Sequence, residues 1–453
     1  MIQSDANCRA PAALHAPAQR VVIILTMLGL CASFGAMLSY VRASKAQIGA
    51  DPFYYAEIVK SPIYYVLHSA EILLLFSSGL LALWLTNPRR ITSGFRWRFS
   101  LFIAAGGLMA ARGYTLRTLL STKLVDATGP FLCLISVLIF VGVRRSNWVA
   151  IDKAFLLTAA ALSVVILYDI AELRTASRVE AIRSTLPEVN ALFWPAGWAA
   201  LRPYPRSAVG RYVRFAPTVV YALGSLFTEM RLNFVMLFML LSLCSYVDHR
   251  HGVPQARRWV VGFGIALWLV MFSMVFLVDT PLFQKLDAAT EGFYSRLGDD
   301  SRSGQVVEFF RSVEPRELLL GRGSFATWWW SSRGSHADWK GGTDIGYLNL
   351  LLYGGVPLLL TYLAVHAAPS LAVLRSGQKG LKLTAGGLVL LWTIRMVSSG
   401  TPSLVLEYYP VLICVGACIS REPELNRERS SSGGSRAQVR VCPSGASRSL
   451  IGH

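Results

Sequence analysis

The chain has 453 residues, of which 53% are hydrophobic and only 15% charged, with a mean hydropathy of +0.46. That composition excludes a soluble enzyme with two or three water-facing domains and points to a polytopic membrane protein. The formal net charge of +18, from 44 Lys and Arg against 26 Asp and Glu, would indicate nucleic acid in a soluble protein; in a membrane protein it reflects basic cytoplasmic loops, so no nucleic-acid partner is expected.

A helix needs roughly 20 apolar residues to cross about 30 Å of hydrocarbon. In chain order, spans are predicted at 21–40, 63–85, 99–117, 124–143, 154–171, 189–201, 213–227, 232–247, 259–278, 346–366, 383–398 and 404–420, twelve in all. The first follows Arg9 and Arg20 and is too long for a signal-peptide core of about 7–15 residues, so it reads as an uncleaved span. Arg112 interrupts 99–117, and 189–201 and 213–227 are short enough to be interfacial or re-entrant instead.

Ionisable groups in hydrocarbon are costly and are either paired or functional. His68 and Glu71 stand at i, i+3, one helical face, where a structural hydrogen bond is the expected use. Arg395 falls near a span centre with Glu407 on the next span; it reads either as a plain pair joining the last two spans or as part of a polar cleft for a lipid carrier. Cys414 and Cys418 are at i, i+4 without a nearby His and read as core packing rather than a metal pair.

With the N-terminus inside, 25 of the 44 basic residues fall in cytoplasmic segments, which puts both termini in the cytoplasm. One connection is not short. The 67 residues from Asp279 to Ile345 carry ten acids and eight bases and read as a folded polar subdomain on the outer side. The expected fold is thus all-α: a polytopic transmembrane helix bundle of about 12 spans with one large periplasmic loop subdomain. Its divisions are nine N-terminal spans in 1–278, the loop in 279–345, three C-terminal spans in 346–420, and a basic, Ser-rich disordered tail in 421–453.

Neither GxxxxGK[S/T] nor GxGxxG occurs, and the seven His are scattered, so no nucleotide cofactor and no metal is expected. Arginine stands out on the outer side: Arg231 in Phe227-Thr-Glu-Met-Arg-Leu-Asn233, and Arg296, Arg302 and Arg311 along the loop. The guanidinium fork suits bidentate binding of phosphate oxygens, and at an outer membrane face without ATP the phosphate most worth binding is the pyrophosphate of a lipid carrier. A pair between Arg231 and Glu229, or solvated surface charge for the loop arginines, is the alternative use. The Trp328-Trp-Trp330 run reads as a membrane-interface anchor or a sugar-stacking platform, with the interface favoured.

The most specific stretch runs from Leu318-Leu-Leu-Gly-Arg-Gly323 through His336 to Thr343-Asp-Ile-Gly-Tyr-Leu-Asn-Leu-Leu-Leu-Tyr-Gly-Gly355. A glycine turn after an apolar helix end, a polar loop, and an Asp just before a glycine-containing span resemble the O-antigen polymerase and ligase superfamily of bacterial inner-membrane glycosyltransferases. Arg231 after a span, Ser295-Arg296, Ser301-Arg302 leading an amphipathic segment, and Leu186-Pro-Glu-Val-Asn190 are similar to other elements of that family, over residues of about 170 to 420. Here Met230 replaces the family's usual Ser, and Pro187 and Asn190 are not adjacent.

The resemblance implies a metal-independent transfer at the periplasmic face from an undecaprenyl-pyrophosphate-linked glycan to an acceptor hydroxyl. Arg231 and Arg302, with Arg296 and Arg311, would stabilise the leaving pyrophosphate, and Asp344 or His336 would serve as base. Helix capping by Asp344 and simple exposure of His336 are the alternatives. Thr343-Asp344 stands where ligase-like members carry a His, which favours a polymerase; a ligase and a secondary transporter or flippase are its rivals. The implied partners are the lipid-linked glycan, the bilayer, and a chain-length regulator and flippase of the same pathway.

Overall fold

In hydrocarbon every backbone N–H and C=O must be satisfied within its own segment, so long apolar runs fold as helices. The computed structural model describes residues 10–50, 61–113, 131–172, 178–202, 213–227, 231–251, 262, 301–323, 326–330, 338–340, 343, 345–397 and 406–421. Over these residues the chain is predominantly helical: α1 (Ala10–Ala50), α2 (Pro62–Leu85), α3 (Phe95–Gly113), α4 (Phe131–Ile135), α5 (Ile139–Val143), α6 (Trp148–Glu172), α7 (Arg178–Leu201), α8 (Ala216–Phe227), α9 (Arg231–Arg250), α10 (Ser301–Ser312), α11 (Pro315–Leu320), α12 (Gly346–Arg375), α13 (Leu381–Arg395) and α14 (Tyr408–Ile419). A small antiparallel ribbon, β1 (Trp328–Trp330) and β2 (Asp338–Lys340), pairs Trp329 with Trp339.

Five helices among the described residues are long and apolar enough to cross a membrane: Ala16–Ala43, Pro62–Leu85, Arg145–Ala171, Leu232–Arg250 and Gly346–Arg375. Their uncovered faces carry large apolar side chains, with Trp84, Leu157 and Phe238 exposed by 78%, 71% and 72%, the kind of surface a bilayer covers. The other expected spans differ in particular ways. The one at 99–117 begins earlier, at Phe95, and is described as far as Gly113. The one at 124–143 is divided into α4 and α5 by a 3-10 turn at Ser136–Leu138. The one at 189–201 is the second half of a 24-residue helix starting at Arg178. Those at 213–227, 383–398 and 404–420 appear as helices of 12, 15 and 12 residues. The span expected at 259–278, the first part of the loop at 279–300 and the tail from 422 lie outside the described residues.

Polar ties show which helix ends meet. At one end, the Arg144 guanidinium donates to the Leu85 carbonyl, Ser420 Oγ donates to Val143 O at 2.7 Å, and Lys382 Nζ donates to Ser420 O at 2.8 Å. There too Thr384 Oγ1 donates to Leu201 O at 2.8 Å and Tyr246 Oη to Leu374 O at 2.9 Å. At this Arg214 end, Arg214 and Asp248 form a bidentate pair, one contact of which is 3.2 Å, with side chains only 4% and 2% exposed. Deep in the bundle α5 and α14 pack backbone against backbone: a Cβ on Gly142 would overlap the Ile413 carbonyl oxygen, and one on Gly416 the Ile139 carbonyl. Small residues permit this close approach, and dispersion rather than water exclusion then holds apolar helices together.

Candidate functional site

The opposite end is shaped by a break in α12. Gly355 has φ +67° inside that helix, and Pro357 follows two residues later. Proline lacks the N–H that would bond the carbonyl four residues earlier, which is Tyr353 O. Gly323 N–H supplies the missing donor at 2.9 Å, and Arg322 N–H caps Leu352 O at 2.7 Å. The glycine turn after α11 thus repairs the helix it breaks into.

That turn is itself fixed from several sides. Gly321, at φ +71°, caps α11, whose start carries a capping box between Glu314 and Glu317. Arg322 pairs with Glu317 at 2.8 Å and donates to Ser312 O at 3.0 Å and Thr327 O at 2.6 Å. Arg112 on α3 donates to Leu320 O at 2.6 Å. The Arg322 hydrogen bond holds the Glu317 carboxyl below its ordinary range, since it stabilises the charged form. The loop has a small core of its own: Phe309 and Trp328 are buried and meet edge to face with ring centroids 5.8 Å apart.

Next to this junction, the entry to α12 is pinned by Asn349, a fully buried amide. Asn349 Nδ2 donates to Thr343 O at 2.8 Å and its Oδ1 accepts from Thr343 N–H at 2.6 Å. Tyr347 Oη donates to the carbonyl of Thr393 near the end of α13. Beside it Arg395, the last residue of α13, pairs with Glu407 at 2.8 Å, and its guanidinium lies 5.7 Å from the Trp194 ring and 6.0 Å from the Trp392 ring. The pair sits at two helix ends, and Arg395 is not near a span centre as the sequence predicts, because α13 stops at Arg395 and α14 starts only at Tyr408.

The start of α14 reaches three helices with three consecutive side chains. Glu407 takes Arg395 on α13, Tyr408 Oη meets His366 Nε2 on α12 at 2.8 Å, and Tyr409 Oη donates to Glu71 on α2. His366 Nδ1 lies 3.0 Å from Tyr362 O; a carbonyl only accepts, so Nδ1 carries the proton and Nε2 accepts from Tyr408. Trp392 Nε1 donates to Tyr362 Oη at 2.6 Å, and His68 Nδ1 lies 3.1 Å from Glu71 Oε2. The structural bond expected between His68 and Glu71 is thus present, extended by Tyr409.

Of the residues singled out by sequence, Arg231 opens α9 and Arg302 lies in the first turn of α10. Arg311, near the other end of α10, is exposed and immediately precedes Ser312, whose carbonyl Arg322 holds. The arginine-led helix after Ser301 is present as expected. Arg296, His336 and Asp344 lie outside the described residues, although Thr343 and Ile345 on either side of Asp344 are hydrogen-bonded to each other. Trp328 is neither an interface anchor nor a stacking platform: at 1% exposure it is core. Pro187 to Asn190 lie within α7 rather than before a span, and Glu188 there is fully buried. Cys414 and Cys418 are buried in α14, and among the described residues no group of three His, Cys, Asp or Glu could hold a metal ion.

Comparison with protein-family models, with curated proteins and with solved structures finds no match to this chain.

Proposed function

We propose that the protein is a polymerase of undecaprenyl-pyrophosphate-linked oligosaccharide repeat units, acting at the periplasmic face of a bacterial inner membrane with both termini in the cytoplasm. The observation that carries this reading is the union of Gly321-Arg-Gly323 with the broken turn at Gly354-Gly355, through Arg322 N–H to Leu352 O and Gly323 N–H to Tyr353 O. It fixes the polar loop bearing Arg302 and Arg311 to the same end of α12 that follows Asp344. A transporter has no need of a folded loop bonded to a helix break; transfer of a bulky glycan needs a rigid cover over the reacting groups.

In this mechanism the acceptor hydroxyl attacks the anomeric carbon of the donor glycan as the bond to the pyrophosphate oxygen breaks. The hydroxyl proton passes to Asp344 or His336 as base. The leaving undecaprenyl pyrophosphate carries away the electron pair, and Arg231 and Arg302, assisted by Arg296 and Arg311, stabilise its charge. A chain-length regulator and a flippase would act before and beside it.

The test is the size distribution of lipid-linked and surface glycan in a deletion strain complemented with wild type, Arg231→Ala or Arg302→Ala, at matched membrane levels. Single repeat units accumulating in the deletion and in both variants support the proposal. Long lipid-linked chains that never reach an acceptor indicate a ligase instead, and an unchanged glycan profile sends the assignment to transport.

A further inference from the structure

The α10–α11 segment of the loop presents large apolar side chains to its surroundings. Around α10, Gln305 and Phe309 are buried, with Val313 just past its end, while Val307, Phe310 and Arg311 make up the exposed side. On α11 polarity changes along the axis. Glu314 and Arg316 are exposed and pair at 2.7 Å at its start, and Leu318-Leu-Leu320 end it. Leu319 is 57% exposed, Phe310 49% and Leu320 45%. Apolar area left to water is unfavourable in proportion to its extent, and neighbouring apolar residues exposed together mark a contact surface.

Their depth identifies what lies against them, because two helices cross from the Arg214 end of the bundle to this junction. α3 leaves that end where Thr92 N–H donates to Ile419 O at 3.0 Å, exposes Trp97 between Arg96 and Arg98 as a membrane-interface anchor does, and reaches Leu320 through Arg112. From Trp97 to Arg112 it rises roughly 23 Å at about 1.5 Å per residue. α12 runs the opposite way. From Pro357, just beyond the break that Gly321-Arg-Gly323 joins, to Arg375, next to the Leu374 carbonyl that Tyr246 holds at the Arg214 end, it covers roughly 27 Å on the same rise. The hydrocarbon core is about 30 Å thick, so both helices bring the junction to its edge rather than far out into water.

The uncovered side of α3 leads to the same place. Leu101, Ala104, Leu108 and Ala111, at i, i+3, i+7 and i+10, are all exposed and form one stripe of the helix. At the end of that stripe Arg112 holds the Leu320 carbonyl at 2.6 Å. Arg322 in turn donates to Ser312 O at 3.0 Å, two residues after Phe310, which ties the end of α10 to the same level. The exposed leucines of α11 are thus continuous with a face that a bilayer covers.

We infer that Leu319, Leu320 and Phe310 are seated in the acyl-chain boundary of the bilayer at this end of the bundle, so that α10–α11 is a membrane-contacting surface whose partner is lipid. Arg311, exposed beside Phe310, keeps its stem with the apolar side chains and its guanidinium among the head groups. The seat follows from depth and exposure and holds whichever reaction the loop serves.

The test needs no substitution. The full-length wild-type protein, in liposomes of dioleoyl phosphatidylcholine, is labelled either by a phosphatidylcholine carrying a diazirine near the carbonyl end of an acyl chain or by a water-soluble diazirine, and the carbene adducts are mapped by mass spectrometry. Leu157, exposed on α6, serves as the lipid-facing reference, and Glu314 and Arg316 as the water-facing one. The ratio of lipid to aqueous labelling at Phe310, Leu319 and Leu320 is expected to approach that of Leu157 and to exceed that of Glu314 and Arg316 by at least about tenfold. A ratio at any of the three no higher than at Glu314 and Arg316 places that residue in water and overturns the inference. Protection of the three from both reagents means that another protein surface, such as a second copy of this chain, covers them, and overturns the assignment to lipid.

Discussion

Gly321 and Gly355 stand at one backbone contact, each at positive φ: a Cβ on Gly355 would lie 2.5 Å from Leu319 O and 2.6 Å from Gly321 N, and one on Gly321 would meet the backbone of Tyr353 and Gly354. Their contact joins the polar loop to a membrane-length helix. Alanine at either position must both adopt a strained backbone and separate the two chains, costing about 1–3 kcal/mol. The expected result is a lower thermal midpoint together with faster proteolysis within 301–340; a variant with wild-type protease resistance there would show that the junction is dispensable.

Acid should loosen the same junction. Glu317 is held below its ordinary value of 4.5 by Arg322, so its contribution is complete above that value and is lost as pH falls through the lowered folded value. Protease sensitivity of the loop is expected to rise in that acid window, and Glu317→Gln should show the sensitised state already at pH 7. A loop whose protection is the same in Glu317→Gln and in wild type would remove Glu317 from the junction.

The Arg395–Glu407 pair, with side chains 6% and 18% exposed, is the next target. Removing one partner leaves a charge in a poorly solvated place, so Glu407→Leu should destabilise by about 3 kcal/mol. Replacing both, as Arg395→Met with Glu407→Leu, should recover most of that loss. The double-mutant cycle in detergent decides it: additive losses would mean that the pair does not couple α13 to α14.

Tyr409→Phe removes one hydroxyl from Glu71 while keeping the ring, and should cost about 1–3 kcal/mol because the carboxylate oxygen is left without its donor. Tyr65→Phe, on the same helix as Glu71 but without a bond to it, should be within about 0.5 kcal/mol of wild type. Equal midpoints for the two variants would place the Tyr409 hydroxyl outside the stabilising network.

What was legible in the sequence was local. His68 and Glu71 are one helical turn apart and the bond between them follows from spacing alone, whereas the helix after Ser301 is implied only by the family resemblance. Arg395 and Glu407 stand out because charge in an apolar run is conspicuous, although the place where α13 ends is not. Tyr409 meeting Glu71 across 338 positions had no such signal beyond two tyrosines opening an apolar segment. Arg214 and Asp248 were hidden by the abundance of basic residues around them, which makes one buried arginine look like another loop cation. Trp328 gives no such signal, because three consecutive tryptophans say nothing about which face is covered; Phe309, nineteen positions earlier, covers it. Gly355 and Pro357 break α12, and that the Gly321 turn supplies the missing donors depends on tertiary contact.

The most direct test of the polymerase assignment is to incubate the purified full-length protein, in liposomes, with a chemically defined undecaprenyl-pyrophosphate-linked repeat unit and no added metal, and to size the products. The account predicts a ladder of lipid-linked oligomers with release of undecaprenyl pyrophosphate, falling by at least about a hundredfold in Arg302→Ala if that residue stabilises the leaving group. Unchanged single repeat units with the wild-type protein, or an undiminished ladder with Arg302→Ala, would contradict it.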